Sequence, residues 1–372
     1  TQTSELLVNL AEKHAKTIVP NYTNGIAAQP NSLGHAWLGH AAGFERDAQR
    51  IREAYARIDR SPMGTTVLNG SSWPLNRTRM ANYLGFETIV DNAYDASQIS
   101  SSEYPVEVAS IVTSIGLHSG HFIQDVMSQY GQVRPWIYLT NLRNVNTQVS
   151  SAMPQKQNPI LLTETRREIS SSLALAMGPI MRAHNITPGM QDPKEESSNT
   201  EMVQSAVQFL KRMDRILNAL VVDPERALEE LNSDWTASQE LADVLMRKYK
   251  VPFRVGHHFS GEIVKFAKQK NIKPLEFPYA EAQRIYKDAM KDFDANAVLP
   301  MSEQEFRSTL NPIAIVQNRA TVGGPQASEM KRMLAVAKDK LKDHQQWALS
   351  KRSRINQSLA QLDQDFAKLL KP

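Results

Sequence analysis

No cysteine occurs in the 372 residues, which excludes disulfides, thiolate nucleophiles and thiolate metal ligands together. A cysteine-free chain fits a cytoplasmic enzyme but does not exclude a processed, exported one. There is no apolar run near the roughly 18 residues of a transmembrane helix, so no membrane partner is expected. The opening residues, Thr1-Gln-Thr-Ser-Glu-Leu6, lack the basic and apolar segments of a secretory signal. Charge is not strongly one-sided: the net value is +4. Part of the basic excess lies between Lys331 and Arg354, where acidic residues interleave. That pattern reads as a solvated helix face rather than a nucleic-acid stripe. Metal-ligand spacing is missing too. His35 and His40 are five residues apart, His118 and His121 have no acid in register, and His257 and His258 point to different helix faces. No metal and no organic cofactor is implied. The hydrophobic content of 41% is ordinary for a chain that builds a large core.

What the sequence does contain is the polar segment Thr147-Gln-Val-Ser-Ser-Ala-Met-Pro-Gln-Lys-Gln-Asn-Pro159. Two hydroxyls, Ser150 and Ser151, precede a cation at Lys156 and an amide at Asn158. Pro154 and Pro159 mark a loop that runs into a helix starting near Ile160. An elimination through a carbanion needs a base on one carbon and fixed donors around the carboxylate that takes up charge. Ser150 fits the base, and Lys156 and Asn158 fit the donors. A serine is a poor base unless its alkoxide is stabilised, a task for a buried lysine and nearby backbone N–H groups. Composition alone also allows a plain surface loop.

The order of residues is more specific. Ser150-Ser-Ala-Met-Pro-Gln-Lys-Gln-Asn-Pro159 closely resembles the signature loop of the fumarase/aspartase superfamily, whose members eliminate fumarate from succinyl compounds. The resemblance implies that Ser150 is the catalytic base and that Lys156 and Asn158 hold the substrate carboxylate, with Ser151 beside them. Val149 replaces the family's usual glycine, and valine resists backbone conformations that glycine allows. Asn21 to Pro30, a loop by composition, resembles a second signature in which Thr-His precedes Ala-Gln-Pro. Thr23 and Ala28-Gln29-Pro30 match, and Asn24 replaces the histidine. An amide hydrogen-bonds but does not relay a proton near neutral pH.

Further segments resemble the argininosuccinate lyase branch. Ser61-Pro-Met-Gly64, Trp73-Pro-Leu-Asn-Arg77 and Leu84-Gly-Phe86 match its second loop, with Asn76 in place of an acidic residue. Asp91-Asn-Ala-Tyr-Asp-Ala96 matches another stretch, although the arginine that follows it in the branch is absent. Gln191, Lys194 and Glu195 fall in register with the branch's glutamine, lysine and glutamate, whereas Ile186 replaces a substrate-contacting tyrosine. Val251-Pro-Phe-Arg254 and Val316-Gln-Asn-Arg319 resemble its C-terminal domain. The resemblance implies substrate-binding roles for Thr23, Asn24, Gln29, Arg77, Ser151, Gln191 and Lys194.

Apolar periodicity near 3.6 predicts helices over 6–17, 33–60, 160–184 and 198–222, with Ser32 as an N-cap. A further helix to about Tyr130 is expected to carry Pro105 in its first turn. The expected fold is all-α: a long-helix bundle over residues 1–240 with its catalytic loop near 147–159, and a smaller helical C-terminal domain over 241–372. Superfamily members carry a further N-terminal domain of ~100 residues, which this chain is expected to lack. They are homotetramers with active sites shared between subunits, and the same is expected here.

These residues predict a carbon–nitrogen lyase that releases fumarate from an N-substituted aspartate such as argininosuccinate. Its partner is a small anionic substrate, with no nucleic acid and no membrane. Two alternatives stay open. One is another superfamily lyase, of the adenylosuccinate lyase or carboxymuconate cycloisomerase type. The other is a catalytically silent structural homologue.

Overall fold

Ser32 is fully buried and closes the hydrogen-bond deficit at the start of a 26-residue helix. Its Oγ accepts from the His35 N–H at 3.4 Å and donates to the Ala15 carbonyl at 2.7 Å. One hydroxyl thus starts a helix and ties it to the end of the preceding one. The computed structural model describes residues 1–141, 145–190, 192–294 and 296–370. Helix α1 (Gln2–Lys13) leads into a hairpin of β1 (Ile18–Thr23) and β2 (Ile26–Ser32), then α2 (Leu33–Ile58). Short β3 (Arg60–Ser61) pairs in parallel with β4 (Thr88–Ile89) around α3 (Arg77–Tyr83). A π-helical turn, Asp95–Ile99, opens into α4 (Ser100–Tyr130). β5 (Ile137–Leu139) and the small β6 (Gln148–Val149) and β7 (Gln157–Asn158) precede α5 (Ile160–Ala183). Next come a 3₁₀ turn, Asp192–Lys194, then α6 (Glu196–Ala219) and β8 (Leu220–Val222), which pairs with β5.

These long helices bury one continuous core. Trp37, Phe44, Phe122, Leu162, Phe209 and Met213 lie in it at no more than 5% exposure. A second core begins after α7 (Pro224–Ser233). It is built by α8 (Gln239–Tyr249), α9 (Phe253–Lys270), α10 (Tyr279–Met290) and α11 (Glu303–Thr309), around Phe259, Phe277 and Phe306. After α12 (Pro312–Gln317) the chain returns in α13 (Ala327–Leu369), whose Met330 and Leu334 pack into the first core. At 43 residues it is about 65 Å long. Farther along, α13 is held by charge as well as by packing, including an edge contact of Trp347 with Tyr55. Arg354 pairs with the buried Asp59, Lys351 with Glu87 at 3.0 Å, and Tyr83 donates to Asp365 at 2.8 Å. Gly85, at φ +79°, lets this helix approach so closely that an added Cβ would stand 3.0 Å from Ile355 Cα.

Two local expectations are corrected. Residues 21–30 are not a loop but most of an antiparallel hairpin, with Thr23 opposite Ile26. Asn24 and Gly25 both have positive φ, +53° and +78°, the conformation of a tight two-residue hairpin turn. Pro105 lies past the first turn of α4, inside the helix. Serine hydroxyls accommodate the irregular start: Ser100, Ser101 and Ser102 donate to the carbonyls of Asp95, Ser97 and Gln98 at 3.1, 2.9 and 2.9 Å. None of the described helices is long and apolar enough to cross a membrane.

Candidate active site

The Ser150 segment is a miniature hairpin. Gln148 faces Asn158 and Val149 faces Gln157 across β6 and β7. The Ser150 N–H donates to Lys156 O at 2.9 Å, and the Lys156 N–H to Met153 O at 3.0 Å. Thr147, buried at the hairpin base, donates its hydroxyl to Gln157 Oε1 at 3.3 Å. The tip is therefore folded back so that backbone N–H groups converge on Ser150 Oγ, from Met153 at 3.2 Å and from Ala152 at 3.4 Å. Such donors favour a negatively charged oxygen. Ser150 and Asn158 are half-buried, while Ser151 and Lys156 are exposed in the single chain. Among the described residues of the single chain, Lys156 is therefore exposed and not buried as expected.

The other candidate residues stand on separate elements. Thr23, Asn24 and Gln29 are exposed on the β1–β2 hairpin. Lys194 is half-buried at the end of the 3₁₀ turn before α6. Glu195 caps α6, its carboxylate accepting from the Ser198 N–H at 3.0 Å. Bonds from Ser197 and Ser198 hold that carboxyl down at about 2. Gln191 lies outside the described residues. Arg77 donates to Met63 O at 2.9 Å, Asp91 O at 3.1 Å and Val90 O at 2.7 Å. In the single chain its guanidinium fastens the loop between α2 and α3 to the end of β4. Asn76 caps α3 by accepting from the Arg79 N–H at 2.9 Å. Among the described residues, no hydrogen bond or ion pair joins the Ser150 hairpin to the Thr23 hairpin, to Arg77 or to Lys194.

Two supporting groups were not apparent in the sequence. Gln98, 7% exposed, accepts the Gly189 N–H at 2.7 Å and so ties the segment before Lys194 to the π-helical turn. It sits in a serine-rich run whose spacing carries no sign of this. Tyr22, next to Thr23, donates to Glu230 and accepts from Trp136 Nε1 at 3.2 Å. Burial and the bond to Glu230 push its phenol up to about 12, and burial pushes Tyr130 up to about 12. An unfolded tyrosine titrates near 10, so between pH 10 and 12 the folded chain keeps protons that the unfolded chain loses. Stability from these two groups is whole below about pH 10 and falls as the pH rises towards about 12. Denaturation across that window is expected to show this decline, and Tyr22→Phe should make it shallower.

With this geometry in place, comparisons with known proteins become informative. Residues 1–171 match the family described as "Lyase", and residues 235–317 match "Argininosuccinate lyase C-terminal". The argininosuccinate lyase of Geobacillus sp. strain WCH70 is 31% identical over 340 residues, covering 90% of this chain and 69% of that protein. The argininosuccinate lyase of Methanosarcina acetivorans is 26% identical over 349 residues, covering 91% and 67%. Among solved structures, EDDS lyase in complex with formate superposes with a TM-score of 0.87 at 21% identity, covering 98% of this chain and 71% of that one. The 3-carboxy-cis,cis-muconate lactonizing enzyme of Pseudomonas putida gives 0.61 at 18%, covering 93% and 71%. The all-α long-helix bundle is the fold these structures share.

Proposed function

The chain belongs to the argininosuccinate lyase family, and from that premise we propose that it eliminates fumarate from an N-substituted aspartate with Ser150 as the base. The observation that carries this reading is the convergence of the Met153 and Ala152 N–H groups on Ser150 Oγ, at 3.2 and 3.4 Å. The same small hairpin carries Lys156 and Asn158. Two backbone donors stabilise an alkoxide where a free serine would stay protonated. The alkoxide takes the proton from the carbon beta to the departing nitrogen. The electron pair of that C–H bond spreads onto the adjacent carboxylate, giving an aci-carboxylate that Lys156 and Asn158 hold. Its collapse forms the carbon–carbon double bond and breaks the carbon–nitrogen bond, and the nitrogen leaves with the bonding pair and gains a proton. The reverse addition uses the same groups. Thr23, Asn24, Gln29, Ser151, Gln191 and Lys194 position substrate, and Arg77 does so through the loop it fastens.

These groups lie on separate elements, so the reading includes a homotetramer in which subunits complete one another's sites. Exposed apolar side chains on α5 (Met177, Ile180, Met181) and α6 (Val203, Val207) support it, since a lone chain leaves them in water. A small anionic substrate suits the exposed Lys156. An EDDS lyase variant with bound fumarate, which shares the fold, is consistent with such a substrate. The cysteine-free composition fits a cytoplasmic enzyme. Fumarate release, followed by ultraviolet absorbance with argininosuccinate as substrate, tests the proposal. Release that vanishes in Ser150→Ala supports both substrate and base. No release excludes argininosuccinate, and fumarate is then offered with a panel of amines. Silence in both directions favours a structural homologue without chemistry.

A further inference from the structure

Helix α13 runs antiparallel to α1. Gln345 donates to Glu5 at 3.1 Å, and two turns away Lys338 pairs with Glu12 at 2.6 Å. Continued past the end of α1, that register brings Lys16 beside the turn from Lys331 to Leu334. Here the end of α1, the start of β1, α12 and α13 border a cleft of about 620 Å³. Val316, Met330 and Leu334 are buried and form its floor. Ile18, Ile313, Pro325 and Ala335 offer it aliphatic surface, with Ile313 37% exposed and Ala335 exposed. Among the described residues no aromatic ring lines it.

The rim of the cleft is cationic. Lys16, Lys331 and Lys338 line it against a single carboxylate, Glu12, which Lys338 already engages. Lys16 and Lys331 are exposed, and among the described residues they make no ion pair or hydrogen bond. Lysines by themselves are an ordinary solvated surface. These differ in their setting: Lys331, Ala335 and Lys338 follow one face of α13 at i, i+4 and i+7, so the cations flank aliphatic area open to water. A ligand that suits this set has an anionic head and an aliphatic body. Its chain removes apolar surface from water, and its head takes charge-assisted bonds from two ammonium groups that nothing else neutralises. A cavity of about 150 Å³ holds one benzene ring, so a cleft about four times larger has room for a chain of roughly 8–12 carbons.

We propose that this cleft binds a free medium-chain aliphatic carboxylate, its head between Lys16 and Lys331 and its chain along Ile18, Ile313 and Ala335. Ile18 opens the strand that leads to Thr23, so an occupant touches the base of that hairpin. None of the lining residues belongs to the proposed elimination site, and the inference does not rest on the lyase reading. The full chain is titrated calorimetrically with sodium octanoate, kept at concentrations where it stays monomeric. Octylammonium chloride and n-octanol keep the chain and change the head. Acetate keeps the head and omits the chain.

The expected result is saturable octanoate binding at millimolar concentration or below, at least about tenfold tighter than octylammonium, n-octanol or acetate. Lys331→Glu reverses one exposed charge and should weaken octanoate at least about tenfold. Ile313→Ser removes an exposed aliphatic contact and should weaken it as well. Lys156→Met, in the Ser150 hairpin, should leave it unchanged. All three side chains are exposed, and thermal unfolding checks that the variants fold. Absence of saturable octanoate binding, equal binding of n-octanol, or unchanged affinity in Lys331→Glu overturns the proposal. Binding that is lost in Lys156→Met and kept in Lys331→Glu overturns it too, because the carboxylate then sits at the elimination site.

Discussion

Ser150→Ala is expected to lower kcat for fumarate release by roughly 10²–10⁴-fold, the usual contribution of a positioned general base, with KM little altered. The substitution deletes one oxygen and keeps the hairpin. The bonds that shape the hairpin, Ser150 N–H to Lys156 O and Lys156 N–H to Met153 O, are backbone bonds that alanine preserves. The Ala152 and Met153 N–H groups lose Ser150 Oγ as a partner, but both residues are exposed and water replaces it. Stability should therefore change by no more than about 1 kcal/mol. Lys156→Met is expected to reduce kcat by roughly 10²–10³-fold, the effect of removing one donor that acts on developing charge. Its folding should be equally unaffected, since Lys156 is exposed in the single chain. Ser151→Ala provides the contrast: a residue that only contacts substrate should raise KM and leave kcat within a few-fold. The two kinetic constants of all three variants, with thermal unfolding as the folding check, decide the matter. A Ser150→Ala enzyme with undiminished kcat removes serine as the base.

The Ser150 hairpin was legible because its chemistry is local in sequence: base, cation and amide fall within nine residues, and their order is specific. The long helices were legible from periodicity, and Ser32 from its place before the first apolar residue. The β1–β2 hairpin was hidden by Pro20, Pro30 and a polar composition that obscures alternation, although Asn24-Gly25 carried the turn signal. Helix α13 shows a different limit. Few of its residues are buried, and it is held at Arg354 by Asp59, almost 300 positions earlier. No sequence period encodes such a pairing. The exposure of Lys156 and the bond from Gly189 to Gln98 likewise depend on where distant elements come to rest. Local order thus exposed the proposed chemistry, whereas the supports around it required the fold.

Asp47→Ala should destabilise the chain by about 3–5 kcal/mol, the range for breaking a buried, hydrogen-bonded charge pair from one side. The Asp47 carboxylate lies between α2 and α4 with its side chain 3% exposed. It accepts from His118 Nδ1 at 2.6 Å, Ser114 Oγ at 2.7 Å and Arg50 at 3.0 Å. Arg50 is half-exposed and can turn to water, but the other two donors are less free. Ser114 lies on α4 facing α2. The His118 ring is packed against Gly43, where an added Cβ would stand 3.2 Å from the ring. Alanine leaves these donors without an acceptor at a helix–helix contact that water reaches poorly. Asp47→Asn keeps one acceptor oxygen and should lose less, about 1–3 kcal/mol. Glu87→Ala removes an exposed carboxylate that pairs with Lys351 and Arg354, and its effect should stay within about 1 kcal/mol. Denaturant unfolding followed by circular dichroism orders the three variants. If Asp47→Ala unfolds no earlier than Glu87→Ala, the buried carboxylate is not what joins α2 to α4, and apolar packing around Phe44 and Phe122 holds that contact without it.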